Sequence, residues 1–139
     1  MADVTVKRTE DFEAIFGGGF LRVRAGLGVT SFGINLLRFP ANATVYPTHD
    51  QSHDQQEEVY TALEGRATLQ VAGEEYELVP GVFARVGPSE RRKIVTGDEP
   101  ATVLAIGGIP GEAYRPPEFT EEGAPDPMKA KAAHLAGGH

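Results

Sequence analysis

Cysteine is absent from this chain of 139 residues. Its absence rules out disulfides, thiolate metal sites and a cysteine nucleophile. Positive charge is also scarce: 13 Lys and Arg stand against 20 Asp and Glu, a formal charge of −7. A nucleic-acid groove or an anionic membrane surface is therefore not an expected partner, whereas a small molecule held in a local pocket is. Long hydrophobic runs are missing too. The N-terminal stretch MADVTVKRTEDFEAIF carries charge every few residues, and the most apolar later run, residues 101–110, is too short to span a bilayer. The expectation is a soluble, cytoplasmic protein.

What the chain does have is punctuation. Seventeen glycines and ten prolines separate short segments rich in Val, Ile, Thr, Phe and Leu, the pattern of an all-β sandwich or barrel. One short helix is predicted over residues 10–16, with Thr9 as N-cap and Gly17 to Gly19 ending it. Strands are predicted over residues 20–24, 31–39, 57–63, 66–71, 75–78, 82–86, 93–96 and 101–106. Glu64-Gly65 and the turn at residues 71–74 read as tight connections between antiparallel neighbours, a β-meander. A single domain over residues 1–110 is expected, because the composition changes beyond it. Residues 111–139 are proline-rich and read as an extended or partly disordered tail. Tyr114 and Phe119 are the tail residues suited to docking on the domain or on a partner, while His134 and His139 read as solvated.

The most informative stretch is PTHDQSHDQQEEVYTALEG, residues 47–65. In an extended chain Gln51 and His53 share a face, separated by roughly 6.5 to 7 Å. His49 lies a further two residues back, so joining His53 on one ion requires a bend. Alternation from Glu58 places Tyr60 and Ala62 on the same face, with Glu57 turned away. A carboxylate carried into a barrel needs a cation, a metal or donors.

The register of this segment resembles the first motif of the cupin superfamily. His53, four residues, Glu58, six residues and Gly65 keep the spacing, while Gln51 stands at the earlier histidine position and Val45 at the opening glycine. The second motif is kept in spacing from Gly81 but not in residues: Gly87, Ser89, Arg92 and Thr96 occupy its proline, glycine, histidine and asparagine places. Fifteen residues lie between Gly65 and Gly81, similar to the compact bacterial cupins. The resemblance spans residues 38–106. It implies a double-stranded β-helix, or jelly-roll barrel, commonly dimeric, and a homodimer is expected.

In metal-dependent cupins the four motif positions commonly bind one divalent ion, and the corresponding residues here are Gln51, His53, Glu58 and Arg92. Only His53 and Glu58 are strong ligands. Gln51 offers a neutral oxygen, and a guanidinium has no lone pair to give. Two arrangements stay open. Arg92 paired with Glu58 satisfies both charges without an ion. Alternatively, a bent loop brings His49 in place of the lost ligand, and His49, His53, Glu58 and Gln51 form a set suited to Mn, Fe, Ni or Zn.

Two functions follow. One is an enzyme of oxygenase or isomerase type acting on a small polar or anionic metabolite, with Arg92 orienting the anion, Tyr46 and Tyr60 lining the ligand, and Glu58 or His53 as the catalytic candidates. The other is a metal-free, non-catalytic module that binds a small ligand.

Overall fold

The computed structural model describes residues 2–129. Among these residues, segments rich in β-branched and aromatic side chains form nine strands, all in antiparallel pairs: β1 (Ala14–Ile15), β2 (Phe20–Leu21), β3 (Gly33–Phe39), β4 (Glu57–Gly65), β5 (Ala67–Val71), β6 (Glu74–Leu78), β7 (Phe83–Val86), β8 (Arg92–Val95) and β9 (Ala101–Gly108). One sheet has the order β1-β2-β3-β9-β4-β7 and the other β6-β5-β8. From β4 onward the chain passes repeatedly between the sheets, which wrap a shared core. Leu37, Phe39, Tyr60, Ala62 and Val103 from the larger sheet meet Ala67, Leu69, Leu78 and Ile94 from the smaller. Their burial is the main stabilising term of the barrel.

The turn at residues 71–74 is the expected hairpin. Ala72 and Gly73 both adopt positive φ, 52° and 77°, and Val71 pairs with Glu74 across a two-residue loop whose twist suits the strands. The connection at Glu64-Gly65 differs from expectation. It joins β4 to β5 at a corner between the two sheets, not as hydrogen-bonded neighbours. Gly65 has φ 74°, and a Cβ there would collide with the Pro100 carbonyl, so glycine lets the chain turn against its neighbour.

The helix predicted over residues 10–16 is also corrected. A single 3-10 turn at Thr9–Asp11 gives way to β1, because Ala14 and Ile15 gain more from pairing with Leu21 and Phe20 and from burying Ile15. Thr9 makes no cap. The Asp11 carboxylate instead accepts the Arg8 backbone N–H at 3.0 Å. An α-helix, α1 (Val23–Leu27), takes over the end of a predicted strand. Val23 and Leu27 pack there with Leu21, Leu36 and Phe12 on the outer face of the larger sheet. No helix among the described residues is long and apolar enough to cross a membrane.

The tail returns to the N-terminal segment. The Phe119 ring packs against Phe16 and Phe20, at 6.0 and 5.3 Å between centroids, and Thr120 is buried. Arg22, 1% exposed, is the clasp: its Nε donates to the Phe119 carbonyl at 2.8 Å, Nη2 to that of Ala124 at 2.9 Å, and Nη1 pairs with Glu13. His134 and His139 lie outside the described residues.

Candidate functional site

The inner face of β4 carries the polar centre of the barrel. Glu58 and Tyr60 point inward, two residues apart as the pleat requires, while Glu57 faces out and pairs with Arg85 at 2.5 Å. Arg92 opens β8 on the opposing sheet and is fully buried. Its Nη1 lies 2.8 Å from Glu58 Oε1, and its Nη2 donates to the Gly87 carbonyl at 2.6 Å. The Tyr60 hydroxyl donates to the same Glu58 oxygen at 2.7 Å. One Glu58 oxygen thus takes both a charge-assisted bond from Arg92 and the Tyr60 phenol.

The approach to β4 is pinned from across the barrel. His49 and Arg92 exchange both backbone hydrogen bonds, at 3.0 and 2.8 Å, which turns residues 47–50 over the end of β8. This places His49 Nε2 3.9 Å from Glu58 Oε1. His49 Nδ1 sits 3.1 Å from the Pro47 carbonyl, a group that only accepts, so Nδ1 carries a proton and Nε2 is the nitrogen turned to the site. The Tyr46 ring sits between those of Phe39 and His49, tilted against each, with centroids at 5.7 and 5.4 Å. Burial, then the Glu58 charge, raises the Tyr46 phenol well above its ordinary pKa. Burial likewise raises Tyr60, reinforced by the neighbouring Tyr46 and Glu58. Both therefore remain neutral phenols at physiological pH.

Two expected residues go elsewhere. The His53 side chain is 72% exposed and faces Asp54 at 3.4 Å, away from Glu58. Gln51 is buried, but its amide donates toward the Asp54 carboxylate at 3.3 Å. Asp54 organises this loop: it also accepts the Gln56 side-chain amide at 2.9 Å and its backbone N–H at 3.2 Å. The turn that results carries His53 outward, because the chain is helical-like here and not extended, with the Gln55 N–H donating to the Gln51 carbonyl at 2.7 Å. The structure brings together Glu58, Arg92, Tyr60, Tyr46 and His49, and leaves His53 on the rim.

These residues do not fit a metal ion. The Arg92 guanidinium fills the space beside Glu58 where a fourth ligand would stand, and a cation there would meet a fixed positive charge. Among the described residues no three His, Asp or Glu side chains converge as a ligand set.

Sequence reasoning missed Asp54, Gln56 and Asn35, and singled out Tyr114 only as a tail residue suited to docking, not as part of the site. Asn35 lies on the inner face, in the row Asn35–Ala105–Tyr60. Gly33, Gly107 and Glu58 form the next row toward the mouth. A Cβ on Gly33 would strike the Tyr114 hydroxyl, and one on Gly107 would stand 2.7 Å from Gln56 Oε1. The readable signal was a glycine at each end of this pairing, Gly33 and Gly107, in otherwise bulky strands. A surface hollow of about 530 Å³ lies outside the barrel between Gln70, the 71–74 turn, Arg91 and Lys93. It is wide open and touches none of the inner residues.

Comparison with known proteins follows the same lines. The family model for the cupin domain, Cupin_2, matches residues 35–107. A cupin protein from Bacteroides fragilis is 27% identical with a TM-score of 0.65, the match covering 83% of this chain and 93% of that one. A sugar phosphate isomerase of the cupin superfamily from Silicibacter pomeroyi is 29% identical with a TM-score of 0.57, over 65% of this chain and 59% of that one. The DMSP lyase DddQ from Ruegeria pomeroyi, 24% identical with a TM-score of 0.52 over 66% and 45% of the two chains, shares the fold. No functionally curated protein matches the sequence.

Proposed function

The chain belongs to the Cupin_2 family of cupin domains, and from that premise we propose that it is a small-molecule-binding cupin whose site works without a metal ion. The observation that carries this reading is the 2.8 Å pair between Arg92 Nη1 and Glu58 Oε1. In this reading Arg92 substitutes for the ion: it neutralises Glu58 and fixes its orientation, so the carboxylate acts as a preset acceptor at the barrel mouth. Tyr46 and Tyr60 supply neutral hydroxyls, and His49 supplies an imidazole edge beside the carboxylate.

A second reading, metal-independent acid–base catalysis, is favoured by the 3.9 Å approach of His49 Nε2 to Glu58 Oε1. Both groups face one space, and proton relay between a carboxylate and an imidazole is ordinary isomerase chemistry. The similarity to a sugar phosphate isomerase supports it in kind.

Elemental analysis of tag-free protein purified without chelators tests the metal-free premise. The expected result is far less than one metal per chain, with thermal stability unmoved by EDTA or by Mn²⁺, Fe²⁺, Ni²⁺ or Zn²⁺. Stoichiometric metal that disappears in Glu58→Gln and His49→Ala would sink the proposal.

A further inference from the structure

The polar atoms of the barrel that lack partners specify a ligand class. Arg92 spends both terminal nitrogens on Glu58 and Gly87, leaving Nε buried with no partner among the described residues. A single N–H cannot grip a carboxylate or phosphate through the two-pronged contact that makes arginine an anion receptor. Asn35 is 8% exposed, and its Oδ1 is a buried acceptor that also lacks a partner. On Glu58 the Tyr60 and Arg92 contacts both fall on Oε1, which leaves Oε2 available. Of these atoms two accept and one donates, and His49 Nε2, turned to the same site, adds a third acceptor. The charges around them are Glu58, Asp54 and Glu121 against Arg92 and Arg24, a net negative setting, so an anion is repelled and a hydrogen-bond donor is drawn in.

The wall between these atoms is low. Gly33, Gly107 and Ala105 lie between Asn35 and Glu58 on the inner face. Neither glycine adopts a positive φ, so backbone strain does not require them; what they provide is room. That room is taken by the chain's own polar ends, the Tyr114 hydroxyl over Gly33 and the Gln56 amide over Gly107. Tyr114 belongs to the tail, whose hydrogen bonds to the body of the chain all fall further on among the described residues, at Phe119, Glu121, Gly123, Ala124 and Asp126.

Resting on the metal-free reading above, we infer that the barrel takes a small uncharged polyhydroxy compound. Its hydroxyls donate to Asn35 Oδ1 and Glu58 Oε2 and accept from Arg92 Nε, and Tyr114 leaves the Gly33 hollow to admit it.

The test is isothermal titration of the full chain in EDTA buffer with five- and six-carbon polyols and sugars, each beside its carboxylate and phosphate counterpart. Neutral members are expected to bind about tenfold or more tightly than their anionic counterparts. Asn35→Leu and Asn35→Ala are each expected to weaken that binding by about tenfold, and Asn35→Leu to keep the unfolding midpoint, since it removes an orphaned acceptor. Tyr114→Ala is expected to raise the association rate. Anions outranking neutral compounds in EDTA overturn the ligand class, as does unchanged affinity in both Asn35 variants or no binding to either wild type or Tyr114→Ala. Binding that appears only when Mn²⁺ replaces EDTA overturns the metal-free reading itself.

Discussion

Arg92 and Glu58 make the site at the level of single residues. A fully buried guanidinium tolerates its surroundings only because a carboxylate stands 2.8 Å away. Glu58→Leu is expected to destabilise the fold by about 3–5 kcal/mol, since it strands a buried charge. Combining it with Arg92→Met is expected to recover most of that loss, as read by urea denaturation of the two single variants and the double. Recovery of nothing would mean that the pair is not the source of the cost. The tyrosines give a pH prediction. Tyr46, Tyr60 and Tyr114 all have raised pKa values from burial and nearby carboxylates. A group whose folded pKa exceeds its unfolded value holds its proton longer in the native state, so its stabilisation is complete below the unfolded value, about pH 10, and falls as pH rises above it. Spectrophotometric titration at alkaline pH is expected to show the Tyr46 and Tyr60 phenols ionising only as the protein unfolds. Ordinary titration of every tyrosine in native protein would contradict the packing described.

At the scale of elements, strands were legible and their partners less so. The alternation that turns Glu58 inward and Glu57 outward is a property of the pleat and could be read directly, as could the two-residue turn at Ala72-Gly73. The corner at Gly65 could not be told from a hairpin, because the same glycine serves both and only Pro100, distant in sequence, shows which. The N-terminal helix failed for a related reason: the pairing of Ala14 and Ile15 with β2 outweighs a weak local helix signal. The tail is the element with the clearest consequence. Phe119→Ala is expected to cost about 3 kcal/mol. Truncation after Pro110 is expected to cost more, because it also removes the carbonyl partners of the buried Arg22. Thermal unfolding measures both. A truncated chain as stable as the full one would show the clasp to be incidental. Glu13, whose pKa is lowered by the Gly123 N–H and by Arg22, adds a contribution present above its unfolded pKa and lost as pH falls through the lowered value.

At the scale of the whole molecule, one sheet-end strand among the described residues carries a large exposed phenylalanine. Strand β7 ends the larger sheet, and Phe83 is 72% exposed, with Leu63 and Val82 beside it also exposed. A bare strand edge with a large aromatic is a template for pairing. We propose this edge as the contact of the homodimer that the sequence resemblance implies, a second β7 extending the sheet across a two-fold axis. Light scattering at micromolar concentration is expected to give twice the chain mass, and Phe83→Lys to give the monomer with its unfolding midpoint retained. A wild-type monomer, or a Phe83→Lys dimer, places the contact elsewhere or removes it.

By itself the sequence determined the strands from β3 onward, the barrel class and the inward position of Glu58, because these follow from two-residue alternation, turn chemistry and motif spacing. Which groups meet Glu58 was decided only by the tertiary structure. His53 keeps the motif's spacing yet faces solvent, since Asp54 folds residues 51–56 into a turn. His49, which an extended chain would keep away and only a bend brings in, reaches the site because its backbone pairs with Arg92 across the barrel. Such pairings join residues far apart in the chain, and no local pattern encodes them.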